Sequence, residues 1–173
     1  MRFSWLKSAA NRANVPSLFR RGHILVGVCL LALALVAPAQ SGFLTHPERS
    51  VVAEMNRVRG AHGLAQLRVD YRLQLAARAH ATDMLRRDYF AHGPFMSRIL
   101  GFGATGPVFG ENLAWGTGTR ARARAIVAGW LASPGHRANL LRSGFRRIGV
   151  AAPTGTFRGI AGVRMVTADF AGR

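Results

Sequence analysis

A chain of 173 residues with 49% apolar content has enough material for one globular domain and is too apolar for a disordered segment. Its single cysteine, Cys29, excludes a disulfide-held scaffold. The net charge of +17, arginine apart from Lys7, excludes an acidic surface and gives a chain that adheres to anionic polymers and membranes or simply carries a solvated basic surface.

Residues 1–23 contain Arg2, Lys7, Arg12, Arg20 and Arg21 and no acid. Ile24 to Ala37 is an apolar run, followed by the small-x-small pattern Ala37-Pro38-Ala39. That order reads as a secretory signal over 1–39, with Cys29 inside its apolar core. The run is shorter than the roughly 20 residues of a bilayer span, so no stable membrane span is expected after cleavage. The expected location is secreted or periplasmic; the alternative is an uncleaved membrane anchor. Without the five basic residues of 1–39, the net charge of +17 becomes +12. No basic stripe interleaved with aromatics suggests nucleic acid.

Residues 40–47 read as a linker and 48–173 as the domain. A first helix is expected from Pro47, with Val51, Val52, Met55, Val58 and His62 at helical spacing and Gly63 as its stop. Glu48 complements the start of its dipole, and His62 the end. Leu64 to Val69 is an extended connector. Asp70 caps a second helix over Tyr71–Asp88, with Leu73, Ala77, His80 and Met84 on one stripe. His80 on that stripe reads as a satisfied core histidine.

The segment 93–110 is glycine-rich and irregular, with a helical turn at Ser97-Arg98-Ile99-Leu100. Thr119 is the expected cap of a third helix that buries Ile126, Val127, Trp130 and Leu131. Ser133-Pro134 ends it and starts a short fourth helix carrying His136 on its first turn. Ile148–Ala152 and Gly159–Phe170 read as a hairpin around a turn at 153–159. A third strand would come from Val108-Phe109 or Leu113-Ala114-Trp115, and the sequence does not choose.

Three polar side chains are candidates for one cleft: His92, Glu111 and His136. Two imidazoles and a carboxylate suit zinc or another divalent metal and leave a position for water. Glu111 is open to two readings, as metal ligand or as general base. No local HExxH pattern is present. Structural roles compete for each residue: a turn for Glu111, a helix terminus for His136, the core for Trp115 and Trp130.

The chain resembles the CAP superfamily, named for cysteine-rich secretory proteins, antigen 5 and pathogenesis-related 1 proteins, whose module is also called the SCP domain. The residues that carry the resemblance are Asn56-Arg57, Gly63-Leu64-Ala65-Gln66-Leu67, Asp83-Met84, His92, Gly110-Glu111-Asn112-Leu113-Ala114, Trp130, Ser133 to Leu141 and Ile148-Gly149-Val150. It covers roughly residues 48 to 170 and is nearest to the bacterial, cysteine-free branch. The resemblance implies an α+β fold, an α-β-α sandwich around a small antiparallel sheet. It also implies a cleft with two histidines and two acids able to take a divalent metal. His92, His136 and Glu111 occupy three of those positions. The second acid, a glutamate shortly after the helical tryptophan, is absent, because Trp130 is followed by Leu131-Ala132-Ser133. Asp88 and Asp169 are the candidates to replace it. The expected function is an exported binding or interaction module of the cell envelope, and the basic surface points to an anionic polymer or lipid as partner. A zinc-dependent, peptidase-like hydrolase using His92, His136 and Glu111 is one alternative, and lipid or sterol binding is another.

Overall fold

Thr45 starts the first helix, two residues ahead of the expected proline. In the computed structural model, which describes residues 43–173, its hydroxyl accepts from the Glu48 amide while the Glu48 carboxylate accepts from the Thr45 amide at 2.7 Å. This reciprocal cap begins α1 (His46–Ala61) and shortens the expected linker. The expected signal over 1–39 lies outside the described residues. Among those described, no helix is long and apolar enough to cross a membrane.

The elements that follow are β1 (Arg68–Val69), α2 (Tyr71–Arg86), α3 (Phe95–Gly101), β2 (Phe109–Gly116), α4 (Ala123–Ala132), α5 (Pro134–Leu140), β3 (Phe145–Ala151), β4 (Thr154–Phe157) and β5 (Ile160–Gly172). Asp70 caps α2 as expected, accepting from the amides of Arg72 and Leu73. Thr119 does not cap α4: it lies in a 3₁₀ turn, Gly118–Ala121, and α4 starts after an extended Arg122. Ser133 ends α4 and precedes α5 with extended backbone, but its hydroxyl makes no capping bond. Proline at the first helical position lacks an amide hydrogen, which leaves one unpaired donor fewer at this helix start.

The strand order is β1-β3-β5-β2, with β4 pairing β5 beyond the hairpin turn. β1 runs parallel to β3, and the other pairings are antiparallel. Leu113-Ala114-Trp115 falls within β2 and Val108-Phe109 straddles its start; β2 pairs with β5 from Phe109↔Ala171 to Gly116↔Arg164.

Alternation along the strands divides the core. One face carries Ile148, Val150, Val166, Ala168 and Phe170 against Val51, Met55 and Val58 of α1, Ile126, Val127 and Trp130 of α4, and Leu140 of α5. The other carries Leu113, Met165 and Ala151 against Ala77, Ala81 and Met84 of α2. The molecule is therefore the expected three-layer α-β-α arrangement. Two residues bring α2 down onto the sheet. A Cβ at Gly149 would lie 2.1 Å from the Leu73 carbonyl carbon, so the helix backbone rests directly on β3 there. Beside it, the buried Gln74 amide donates to the Val150 carbonyl at 2.6 Å and accepts from its amide at 2.9 Å. Because both groups are buried, each would cost stability if unpaired.

Candidate functional site

β2 is the outer strand of the sheet at its far edge from β1, and its edge is covered by side chains instead of another strand. Trp130 Nε1 of α4 donates to the Leu113 carbonyl at 3.0 Å, and Asn139 Nδ2 of α5 donates to the Glu111 carbonyl at 3.1 Å. Two otherwise unpaired carbonyls are thereby satisfied. Asn139 Nδ2 also reaches Asn112 Oδ1, and Asn112 Nδ2 donates to the His136 carbonyl. This chain of amides positions the first turn of α5. It requires Gly110, because a Cβ there would lie 2.8 Å from Asn139 Oδ1 and 2.9 Å from the Phe145 ring. The Gly110-Glu111-Asn112 triplet therefore has three separate tasks: close approach, a side chain to one face, and a side chain to the other.

Glu111 faces the α2 layer, and its carboxylate is buried. Oε1 accepts from His92 Nδ1 at 2.6 Å, and Oε2 accepts from Arg98 Nη2 at 2.5 Å. His92 stands on the loop after α2, and Arg98 on α3. A carboxylate holding Nδ1–H leaves the other imidazole nitrogen, Nε2, as a lone-pair donor, and the His92 side chain is 57% exposed. His80 lies beneath, with Nε2 donating to the Ala91 carbonyl at 3.0 Å and 3.8 Å from Glu111 Oε2. Burial holds its pKa below the usual imidazole value, against the attraction of Glu111. It is a neutral, internally bonded histidine that shapes the His92 loop.

His136 comes from the opposite layer and meets the site around the edge of β2. Its pKa is depressed first by burial and then by the charge of His92, so the two imidazoles sit within electrostatic range of each other. His136 also lines a groove of about 450 Å³ with Phe90, Trp115, Arg120, Ile126 and Trp130. Trp130 is core, as expected. Trp115, expected to be core as well, is 39% exposed and forms part of the groove wall.

The two candidate replacement acids separate cleanly. Asp88 accepts from the Arg158 amide, tying the end of α2 to the β4–β5 turn. Asp169 is the direct cross-strand partner of Glu111, fully buried, and neither of its oxygens meets a donor. Burial, then the adjacent Glu111 charge, pushes its pKa well above the ordinary carboxylate range. As a neutral acid it can donate to Glu111, which it could not do ionised.

Arg98 is the residue that sequence reasoning missed: it appeared only inside an expected helical turn. Its presence bears on the expected metal. Among the described residues, no group of three or more His, Cys, Asp or Glu side chains is arranged to hold a metal ion. Both Glu111 oxygens are already engaged, one by a guanidinium that would repel a dication. Glu111 thus does not fit as a third metal ligand in this arrangement, although the outward nitrogen of His92 does fit as a donor.

The model of the CAP family, described as the cysteine-rich secretory protein family, matches residues 52–162. The chain belongs to this family. Among curated relatives it is 36% identical over 108 residues to the uncharacterised protein YkwD of Bacillus subtilis, a match over 60% of this chain and 41% of that protein. The uncharacterised membrane protein YlbC of the same organism is 33% identical over 111 residues, 61% of this chain and 31% of that protein. The chain spans less than half the length of these relatives. Among solved structures, an extracellular SCP-domain protein of Bacillus anthracis is 27% identical with a TM-score of 0.62, over 73% of this chain and 40% of that one. An outer surface protein of Borrelia burgdorferi shares the fold, at 21% identity and a TM-score of 0.63, over 73% of this chain and 92% of that one. The CAP fold thus accounts for the layers, and the edge of β2 is where this chain's polar residues gather.

Proposed function

We propose that this CAP-domain chain is an exported binding module of the cell envelope, whose cleft recognises an anionic group on a polymer or lipid. The observation that carries the reading is the state of Glu111. Both its oxygens hold other side chains in place, so the cleft has an organised wall and no free carboxylate at its mouth. Among the residues that line the groove are His136, Arg120 and the partly exposed Trp115. A mostly apolar hollow with a few convergent polar groups is the usual form of a ligand site. Here those polar groups are a histidine and a tryptophan that can donate and one arginine, which favour an anion. An extracellular setting accords with the Bacillus anthracis relative and with the expected signal segment.

The test is co-sedimentation of the chain with isolated bacterial envelope fragments over a salt series. Adhesion should fall steeply with salt and should drop in an Arg120→Gln, His136→Ala variant. Adhesion indifferent to both salt and these substitutions would refute the reading.

A second reading is favoured by the outward nitrogen of His92. With His136 it would supply two ligands to zinc or another divalent ion, and Glu111 would be the outer carboxylate that orients His92. Such an ion would supply Lewis-acid chemistry, and a hydrolase would need it. Equilibrium dialysis against zinc separates the two readings. Loss of bound zinc in His92→Ala with His136→Ala supports the metal, and no stoichiometric zinc in the unaltered chain dismisses it.

A further inference from the structure

At the opposite edge of the sheet from β2, a hollow of about 440 Å³ is lined by Gln66, Arg68, Arg146, Arg147 and Arg173, with no aspartate or glutamate side chain in its wall. We infer that this hollow is a second binding site, specific for a phosphate-bearing anion and independent of the His92–Glu111 cleft.

The shortage of carboxylates around it supports the inference. The described ion pairs lie mostly elsewhere: Arg57 with Glu54, Arg78 with Glu48, Arg86 and Arg87 with Asp83, Arg98 with Glu111. In this hollow one acid contributes from outside the wall. Asp70 accepts from Arg147 Nη1 at 3.0 Å, and its other oxygen caps α2. Arg147 is further fixed by the carbonyls of Gly172 and Thr105, so its charge is immobile. Arg146 is held only by carbonyls of its own turn, Ser143 and Phe145. Arg68 is exposed, and no ion pair among the described residues includes it.

The backbone brings these charges together. Arg68 and Arg147 are register partners on parallel strands, so two guanidinium stems leave the same face of adjacent strands. Like charges placed so close disfavour the fold unless something offsets them. Behind the hollow lies Arg59, fully buried, whose guanidinium is met by four carbonyls and no carboxylate. Burial and then the charge of Arg146 both press on its protonated form. The region is therefore short of negative charge. A tetrahedral anion with several acceptor oxygens matches forked guanidinium donors better than a monovalent halide does.

Two properties of a bound anion follow: it stabilises the fold, and it does so through Arg68 and Arg146. Inorganic phosphate, titrated into the full chain at constant ionic strength, should raise the melting temperature above a chloride control and bind saturably by calorimetry. Arg68→Gln with Arg146→Gln should weaken phosphate binding about tenfold or more while melting cooperatively without phosphate. Arg68→Gln alone, at an exposed position, is the check that loss of binding is not loss of fold. His136→Ala should bind phosphate as the unaltered chain does. Flotation with phosphatidylcholine vesicles containing phosphatidylglycerol identifies the source. Flotation lost in the double variant assigns the site to a lipid headgroup, and phosphate binding without flotation assigns it to a soluble or polymeric phosphate. The inference fails if phosphate gives no shift beyond chloride, if the double variant binds it undiminished, or if His136→Ala abolishes binding. That last result would place the anion in the cleft, whereas failure of envelope adhesion through Arg120 and His136 would leave this site standing.

Discussion

Two buried arginines, Arg59 and Arg98, are held in opposite ways. Arg59 on α1 is fully buried and donates to the carbonyls of Ala65, Leu140, Arg142 and Phe145, at 2.8 to 3.1 Å. Arg98 on α3 is held by a side-chain carboxylate, Glu111, which also holds His92 and lies against the unpaired acid Asp169. The first arrangement has no titratable acceptor, so it is a fixed staple across the α5–β3 turn. The second is a network of protons and charges whose balance depends on pH and on whatever approaches the exposed face of His92. The contrast separates a part of the molecule built for holding from a part whose charge can respond to a ligand.

Removing the staple should have the largest effect. Arg59→Met leaves four main-chain acceptors without their donor, and two of these bonds are buried. Each such group costs about 1–3 kcal/mol, and the expected loss is at least about 3 kcal/mol in urea unfolding. Arg59→Lys should recover part of it, because an ammonium still donates but cannot span all four carbonyls. A loss below about 1 kcal/mol for Arg59→Met would erase the distinction between staple and network.

Glu111→Gln tests the network and ranks second. It leaves the Arg98 guanidinium mostly buried without its counter-charge, which costs about 3 kcal/mol. The amide also weakens the hold on His92 Nδ1. Nitrogen chemical shifts of His92 should therefore move toward a mixture of tautomers, while those of His62, bonded to the Val58 carbonyl at 2.9 Å, stay put. A His92 ring with unchanged shifts in the variant would mean that Glu111 does not orient it.

The same contrast explains how much could be read from the chain. Helix positions were legible because their determinants are local: Asp70 caps α2, and Ser133-Pro134 separates α4 from α5. The Thr45–Glu48 capping box is equally local, yet it was passed over for the neighbouring proline, and α1 starts earlier as a result. The layers followed from the resemblance alone. His92, Glu111 and His136 stood out as residue types in recognisable triplets. Arg98 did not, because nothing near it in the chain reveals that Glu111, on another element, is its partner. Asp169 was one of two acids that the chain offered, and only the β2–β5 register separates it from Asp88. Trp115 misled for a related reason: it alternates with buried residues on its strand, but β2 is an edge, and no layer covers its end.

Asp169→Asn should have the smallest effect at acid pH and the most specific signature. In the folded chain this acid keeps its proton well above the range near pH 4 where the unfolded chain releases it. Between those two values the folded state binds the extra proton. Stability therefore falls as pH rises through that window and levels off beyond the folded value. Asparagine has nothing to titrate, occupies the same space and can still donate to Glu111. At acid pH, where Asp169 is protonated folded and unfolded alike, stability should change by less than about 1 kcal/mol, and the asparagine variant should gain on the unaltered chain as pH rises through the window, because the decline that belongs to Asp169 is gone. His80 acts in the opposite sense. Its ring is held neutral by burial, while the unfolded ring gains a proton below about pH 6.5, so stability is lost there as pH falls. That acid limb belongs to both chains and serves as the internal reference. If the asparagine variant retained the full decline above pH 4, the proton would reside on another group, and Asp169 would not be the buried acid that carries it.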